Sequence, residues 1–365
     1  MPKINDIIGH LENIAPTSYQ EPYDNSGLLT GQRDWEITGI LISLDCIESI
    51  VDEAIEKGCN MIIAHHPIIF TGLKKLTGSN YVEKTIIKAI KNDVAIYAIH
   101  TNLDNISEGV NAMISGKIGL INTRILLPKS HSLSKIEFFV PKENTQSILD
   151  TIHAVGAGKM GKYNHCSFRV NGTGTFLALD EAKPSIGQRG QIESVNEDKV
   201  EVIFPSYLHL RIVEALRKAH PYEEPAFFII SLDNQNKEVG SGMIGEFEKP
   251  LSQEEFLQHL KNTLPINTIK YTPSHKKEIR TVAVCGGAGS FLLPTAKSLK
   301  ADAFVSSDFK YHEFFDAENK IMIADIGHYE SEVYTKALLD EFVREKFTNI
   351  ATYLSEVNTN PVQYF

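Results

Sequence analysis

The apolar residues of this chain follow two rhythms. Ile4, Ile7, Ile8, Leu11 and Ile14 recur at helical spacing, which predicts an amphipathic first helix. Beyond it the apolar residues gather into short unbroken runs at 39–44, 61–64 and 94–99, separated by helix-like stretches at 47–57 and 82–91. A short unbroken apolar run predicts a strand covered on both faces, and alternation of such runs with helices predicts a mainly parallel sheet. The rhythm returns toward the C-terminus, with strands expected at 281–285, 303–305 and 321–325 and one long helix after them.

The middle of the chain reads differently. Strand, helix, strand, strand, helix, strand are expected at 135–140, 144–155, 165–170, 199–204, 207–219 and 226–231, which is the ferredoxin-like plan. The predicted fold class is therefore α/β. A discontinuous α/β domain with mainly parallel sheets, formed by 1–129 and 237–365, is interrupted by an inserted ferredoxin-like domain at 130–236. Such insertions are tolerated where the two ends of the inserted piece lie close together at a surface. Within the insert, Gly156-Ala157-Gly158-Lys159-Met160-Gly161 and His220-Pro221-Tyr222-Glu223-Glu224-Pro225 read as connecting loops, and Gly172-Thr173-Gly174-Thr175-Phe176 as a hairpin turn. Binding of a small effector is the functional alternative for each.

Chemistry enters where the runs end. Met61-Ile62-Ile63-Ala64 runs into His65-His66-Pro67, the run at 94–99 into His100-Thr101-Asn102-Leu103-Asp104, and 321–327 into His328-Tyr329-Glu330-Ser331-Glu332. The rim of a sheet, where strands end, is where α/β proteins place their sites. His328 and Glu332 are four apart at the head of a helical segment and so share one face of it. Any one of these residues alone reads more simply as a cap neighbour or a solvated charge. Together His65, His66, Asp104, His328 and Glu332 offer three imidazoles and two carboxylates. A single catalytic zinc takes about three protein ligands; five suit two divalent ions, with Glu332 as the bridging carboxylate. Asp308, His312 and His100 are candidates for proton transfer or for orienting a ligand. Hydrogen-bonded support is the plain alternative for the two histidines. Asp45, at the end of the first strand, either holds water near the metals or caps a helix.

Four blocks, Tyr23-Asp24-Asn25-Ser26-Gly27-Leu28, Ala64-His65-His66-Pro67, His100-Thr101-Asn102-Leu103-Asp104 and Gly327-His328-Tyr329-Glu330-Ser331-Glu332, together carry a resemblance. In order, they resemble the signature blocks of the GTP cyclohydrolase 1 type 2 homologues, the Nif-three-like di-metal family. Ser306-Ser307-Asp308-Phe309-Lys310-Tyr311-His312 is similar to a fifth block, with Ser306-Ser307 where Thr-Gly is more usual. The resemblance covers residues 1–128 and 236–365 and implies metal ligands at His65, His66, Asp104, His328 and Glu332. It further implies a PII/CutA-like insert, a homo-oligomer in the form of a hexameric ring, and a GTP cyclohydrolase-like hydrolysis. In that hydrolysis, metal-activated water would attack a nucleotide or another small metabolite. Two divalent metal ions per subunit are the expected cofactors, zinc first, with iron and manganese also suited to the donor set. The competing reading is a non-catalytic metal-binding, metal-delivery or regulatory protein.

Composition narrows the partners. At 365 residues and 42% hydrophobic content the chain can fill the cores of two domains. A net charge of −10 and a pI near 5.7 argue against nucleic-acid binding, which needs a basic face. They leave room for a basic pocket holding a phosphorylated small molecule. No stretch approaches the roughly 20 apolar residues of a membrane span, and the first residues lack a signal pattern, so a cytoplasmic protein without a membrane partner is expected. Cys46, Cys59, Cys166 and Cys285 form no CxxC and read as reduced thiols. Gly286-Gly287-Ala288-Gly289-Ser290 lacks the third glycine of a dinucleotide fingerprint. It reads as a tight turn near the metals, with contact to a substrate phosphate as the functional alternative. His165, His209 and His220 have no spacing that makes a second metal set. His10, His131, His153, His259 and His275 read as surface or helix residues without partners.

Overall fold

In the structure, a computed structural model that describes all 365 residues, the apolar runs become strands whose side chains alternate between two cores. Ile40–Ser43, Met61–Ala64 and Ala95–Ala98 are buried along their whole length. Ile42, Ile63 and Tyr97 lie side by side across the sheet and share a core with Ile4, Ile7, Ile8 and Leu11 of the helix Ile4–Ile14. Leu41, Ile62 and Ile96 face the opposite core, against Ile50, Val51 and Ala54 of Glu48–Glu56 and Ile86 and Ala89 of Tyr81–Lys91. Each buried isoleucine there contributes about 1.5–3 kcal/mol.

The chain divides into two units, Met1–Leu127 with Val239–Phe365, and Pro128–Glu238. The first unit contains the sheet just described, in the order Gly27–Thr30, Ala95–Ala98, Met61–Ala64, Ile40–Ser43, Thr352–Leu354. Only its Gly27–Thr30 edge is antiparallel. A second sheet runs in the order Lys270–Tyr271, Met322–Asp325, Ala303–Ser307, Glu278–Ala288, Asn236–Ser252, Ile121–Lys129. Its three middle strands are parallel, but Lys270–Tyr271 and Asn236–Ser252 pair antiparallel, so this sheet is mixed where a mainly parallel one is expected. The reason lies in patterning. Asn236–Ser252 buries Val239, Met243, Ile244 and Phe247 between glycines and charges, and so does not read as an apolar run. The expected long C-terminal helix is two helices, His328–Glu332 and Thr335–Lys346, because the backbone turns at Val333-Tyr334.

The second unit orders its strands Phe168–Leu177, Ile192–Pro205, Leu133–Pro141, Phe227–Leu232, every pairing antiparallel. The helices Thr145–Ala154 and His209–Ala219 bury Ile148, Ile152, Ile212 and Leu216 against Ile136, Phe138, Val202 and Phe204. Gly172 to Phe176 form no hairpin turn; they sit inside Phe168–Leu177 and pair continuously with the next strand. Gly174 there serves packing, since a Cβ on it would fall 1.8 Å from Oε2 of the buried Glu197. No helix of either unit is long and apolar enough to cross a membrane.

Candidate metal centre

Three strands of the first unit, two from one sheet and one from the other, lead to one place. Met61–Ala64 passes directly into His65 and His66, whose backbone amides still bond to the carbonyls of Ser43 and Leu44 at 3.2 and 2.9 Å. The two rings lie 5.0 Å apart. Ala95–Ala98 leads to His100 and the single turn Thr101–Asp104, which brings Asp104 back toward His65; His65 Nε2 and Asp104 Oδ1 are 3.6 Å apart. Met322–Asp325 leads through Gly327, whose φ of 90° allows the sharp turn, into His328–Glu332. That turn of helix sets His328 Nε2 3.1 Å from Glu332 Oε2.

Every imidazole in the cluster is tethered through Nδ1. His65 Nδ1 bonds to the Ile99 carbonyl at 2.8 Å, His66 Nδ1 to Asp45 Oδ1 at 2.8 Å, His100 Nδ1 to Asp24 Oδ1 at 2.8 Å, and His328 Nδ1 to Asp308 Oδ2 at 2.6 Å. An acceptor at Nδ1 holds the proton there and leaves the Nε2 lone pair free, which is how metal-ligating histidines are oriented. His66 Nε2 lies 2.9 Å from Glu332 Oε2 and 3.4 Å from His328 Nε2. Three sets of donors each fall within 4.8 Å of one another: His65, His66 and His100; His66, His328 and Glu332; His65, Asp104 and Glu332. Glu332 belongs to two of these sets and His66 to two, the arrangement that neighbouring cations sharing ligands would need.

The charges within the cluster compensate one another. Burial lowers the His65 pKa to about 3, so this imidazole is neutral. Burial also opposes charge on His66, yet the hydrogen bonds of Asp45 and Glu332 outweigh it and lift this pKa to about 9. At His328 the Asp308 and Glu332 bonds likewise overcome burial and raise the value to about 11. Burial and the nearby Glu332 raise Asp104. Glu332 is held low because the bonds from His328 and His66 overcome its burial. Positive charge is thus drawn into the cluster at His66 and His328. The fit to a metal rests on two buried atoms, His65 Nε2 and Asp104 Oδ1, which have no hydrogen-bond partner at all. Buried polar atoms are almost always satisfied, and a neutral imidazole nitrogen beside a carboxylate oxygen is a metal donor set.

The cluster opens into a cavity of about 640 Å³ lined by His66, His100, Asp104, His328 and Glu332 among others. Gly286, Gly287 and Ala288 also line it, and a Cβ on Gly287 (φ 62°) would stand 2.5 Å from Glu332 Oε1. The structure therefore brings together His65, His66, Asp104, His328 and Glu332, with Asp308 and Asp45 behind two of the rings. His100 stands closer than an outer support would, as its grouping with His65 and His66 shows. His312 is not brought in: its exposed ring packs against Tyr311 and Phe315 outside the cavity lining.

Sequence reasoning missed Asp24, which holds His100 and accepts from the Thr101 hydroxyl and from its amide at 3.0 Å. It also missed Thr359, which donates to Asp45. Histidines expected to lack partners have them. His10, His259 and His275 bond to the carbonyls of Phe342, Ile118 and Asn319, His131 pairs with Asp233, and His153 stacks on His165. All four cysteines are free thiols, and burial raises Cys46 to about 12.

Known proteins resemble this chain along its whole length. A family model described as Duf34/NIF3 (NGG1p interacting factor 3) matches residues 2–361. A Staphylococcus epidermidis protein named "GTP cyclohydrolase 1 type 2 homolog" is 37% identical over 367 residues, covering 99% of this chain and 100% of its own. A Bacillus subtilis protein of the same name is 34% identical, covering 98% and 97%. Among solved structures, a Bacillus cereus protein related to NIF3 superposes with a TM-score of 0.87 at 35% identity, over 100% of this chain and 99% of that one.

Proposed function

The chain belongs to the Duf34/NIF3 family, and on that premise we propose that its histidine and carboxylate cluster is a two-ion metal centre serving hydrolysis of a small molecule. What supports the reading most is the buried, partnerless pair His65 Nε2 and Asp104 Oδ1. In this proposal His65, His66, Asp104 and His328 hold the ions and Glu332 bridges them. Zinc is the first candidate, and iron(II) or manganese suits the same donors. Divalent ions bound there supply Lewis acidity and lower the pKa of water toward neutrality.

The chain's own groups do the rest. The Ile99 carbonyl, Asp45 and Asp308 fix three Nδ1–H tautomers, so that each Nε2 is presented without a search for its orientation. His100, fixed in the same way by Asp24, lines the cavity outside the five-ligand set and is the candidate for accepting or returning a proton at Nε2. The name carried by the relatives supplies the reaction to test first, hydrolytic opening of a purine ring at an amidine-like carbon with loss of formate.

The proposal extends to architecture. Residues 1–129 and 237–365 form the metal domain, 130–236 is a PII/CutA-like module for assembly or regulation, and subunits associate in a hexameric ring, to be checked by sedimentation. A second reading, metal delivery or regulation without catalysis, is favoured by the exposure of His328, whose side chain is 39% accessible and so open to exchange of its ligand.

Elemental analysis of wild type and Glu332→Gln, with formate release from GTP and from guanosine measured on the same samples, tests the function. Two equivalents of metal in wild type, fewer in the variant, and formate that follows metal content support hydrolysis. Two equivalents that pass to a chelator without any turnover support delivery. No metal after loading with zinc, iron or manganese refutes the centre.

A further inference from the structure

The cavity in front of the cluster contains no lysine and no arginine. Its charged lining is acidic: Glu21, Asp45, Asp104 and Glu332. On the reading above, on which this inference rests, two divalent ions would bring in four positive charges. Those four carboxylates already match them, and the tethered imidazoles are neutral when they ligate. A polyphosphate chain would therefore enter with nothing left to neutralise it.

The glycine-rich turn offers no substitute. Free backbone amides in such a turn are what cradles phosphate, but here the amides of all three glycines are already engaged. Gly286 N–H bonds to Asn111 Oδ1, Gly287 N–H to Ser331 Oγ and Gly289 N–H to Ser306 Oγ, each at 3.0 Å. The lining of this cavity thus favours the plain reading of the glycine-rich turn as structural, and it is not the basic pocket for which composition leaves room.

What the cavity does present is aromatic surface. Tyr23, Phe70, Tyr81 and Phe291 line it from four separate segments and are each between 51% and 68% exposed. Phe70 meets the His100 ring edge-on, with centroids 5.6 Å apart, so this rim reaches the tethered imidazoles. Four aromatic rings left in water around one cavity are a recognition surface for a flat, apolar-faced ligand. The volume of about 640 Å³ falls in the range of about 300–1,000 Å³ typical of small-molecule sites.

We propose that this site takes an uncharged planar heterocycle of nucleobase or nucleoside size, stacked on the aromatic rim with its ring edge toward the metal centre, and that it discriminates against phosphorylated forms.

The test is calorimetric titration of the zinc-loaded full chain with guanosine, adenosine and cytidine, each against its triphosphate, alongside Phe70→Ala and Phe291→Ala. Metal content and sedimentation are measured on every sample. At least one nucleoside is expected to bind about tenfold or more tightly than its triphosphate. Loss of either ring should weaken that binding by about 5- to 150-fold, the range for stacking on one aromatic, with metal content unchanged. If one variant is unstable, the other and Tyr23→Ala carry the comparison. Tighter binding of every triphosphate, no nucleoside binding, or nucleoside binding indifferent to the rings overturns the inference. A change of assembly in place of a change in binding does so too, by making the rim a subunit contact. Failure of the underlying reading looks different: wild type then holds no metal, whatever it does with nucleosides.

Discussion

The Asp308 carboxylate holds Nδ1 of His328 at 2.6 Å, from a residue that itself sits in the left-handed region with φ of 59°. An aspartate tolerates that conformation better than most side chains, so its backbone and its carboxylate are both fitted to one task, aiming Nε2 of His328 into the cluster. Replacing it by asparagine keeps the shape and removes the charge. Asp308→Asn is expected to weaken metal binding by about 10- to 100-fold, as losing an orienting partner does. Competition against a chromogenic chelator measures this. An unchanged affinity would show that the ring needs no tether.

Gly287 and Gly58 separate strain from function. Both have positive φ, 62° and 70°, but a Cβ on Gly58 meets nothing within 4 Å, whereas one on Gly287 meets Glu332 Oε1 at 2.5 Å. Alanine at either position costs about 1–2 kcal/mol of backbone strain. Only Gly287→Ala is expected to lower metal content as well. Thermal melts paired with elemental analysis distinguish the two effects; equal metal in both variants would contradict the assignment of Glu332.

An acid-labile brace lies away from the site. Glu83 accepts the backbone amides of Ser79 and Thr77 and the hydroxyls of both, which hold its carboxyl low, at about 2. A carboxyl depressed on folding stabilises fully above its unfolded value, 4.5, and that stabilisation is lost as pH falls toward about 2. Melting temperatures of wild type and Glu83→Gln should therefore differ at pH 7 and converge below about pH 4.5. A gap that ignores pH would mean that the hydrogen bonds do not depend on the charge.

Core deletion should be costly. Ile63 is fully buried between Ile42 and Tyr97, two residues before His65. Ile63→Ala is expected to cost about 2–5 kcal/mol in denaturant unfolding. A cost below about 1 kcal/mol would show that the sheet relaxes around the deletion.

The parts of this protein that could be read from sequence are those in which one short segment carries both fold and chemistry. An unbroken apolar run that stops at a histidine announces a buried strand and its rim residue together, which is how His65, His66, His100 and His328 stand out. Residues that act from across the molecule leave no such mark. Asp24 is a single aspartate in a loop, and only the folding of Thr101 and His100 against it gives it a role. Thr359 reaches Asp45 across 314 positions of sequence. His312 shares a short block with Asp308, but residues Tyr311–Ala317 form a 3-10 helix, and the exposed ring of His312 packs against Tyr311 and Phe315 there. Gly174 looks like a turn residue because sequence cannot tell a glycine that bends the chain from one that makes room for a neighbour, here Glu197.

The cluster joins His66 to Glu332 across 266 positions, with the whole second unit between them in the chain. During synthesis the first half of the donor set is made long before the second, and the site becomes complete only once residue 332 is free to fold back. Two of the three donor sets thus wait for a residue made late in synthesis, and a chain that stops before it lacks the glutamate that those two sets share.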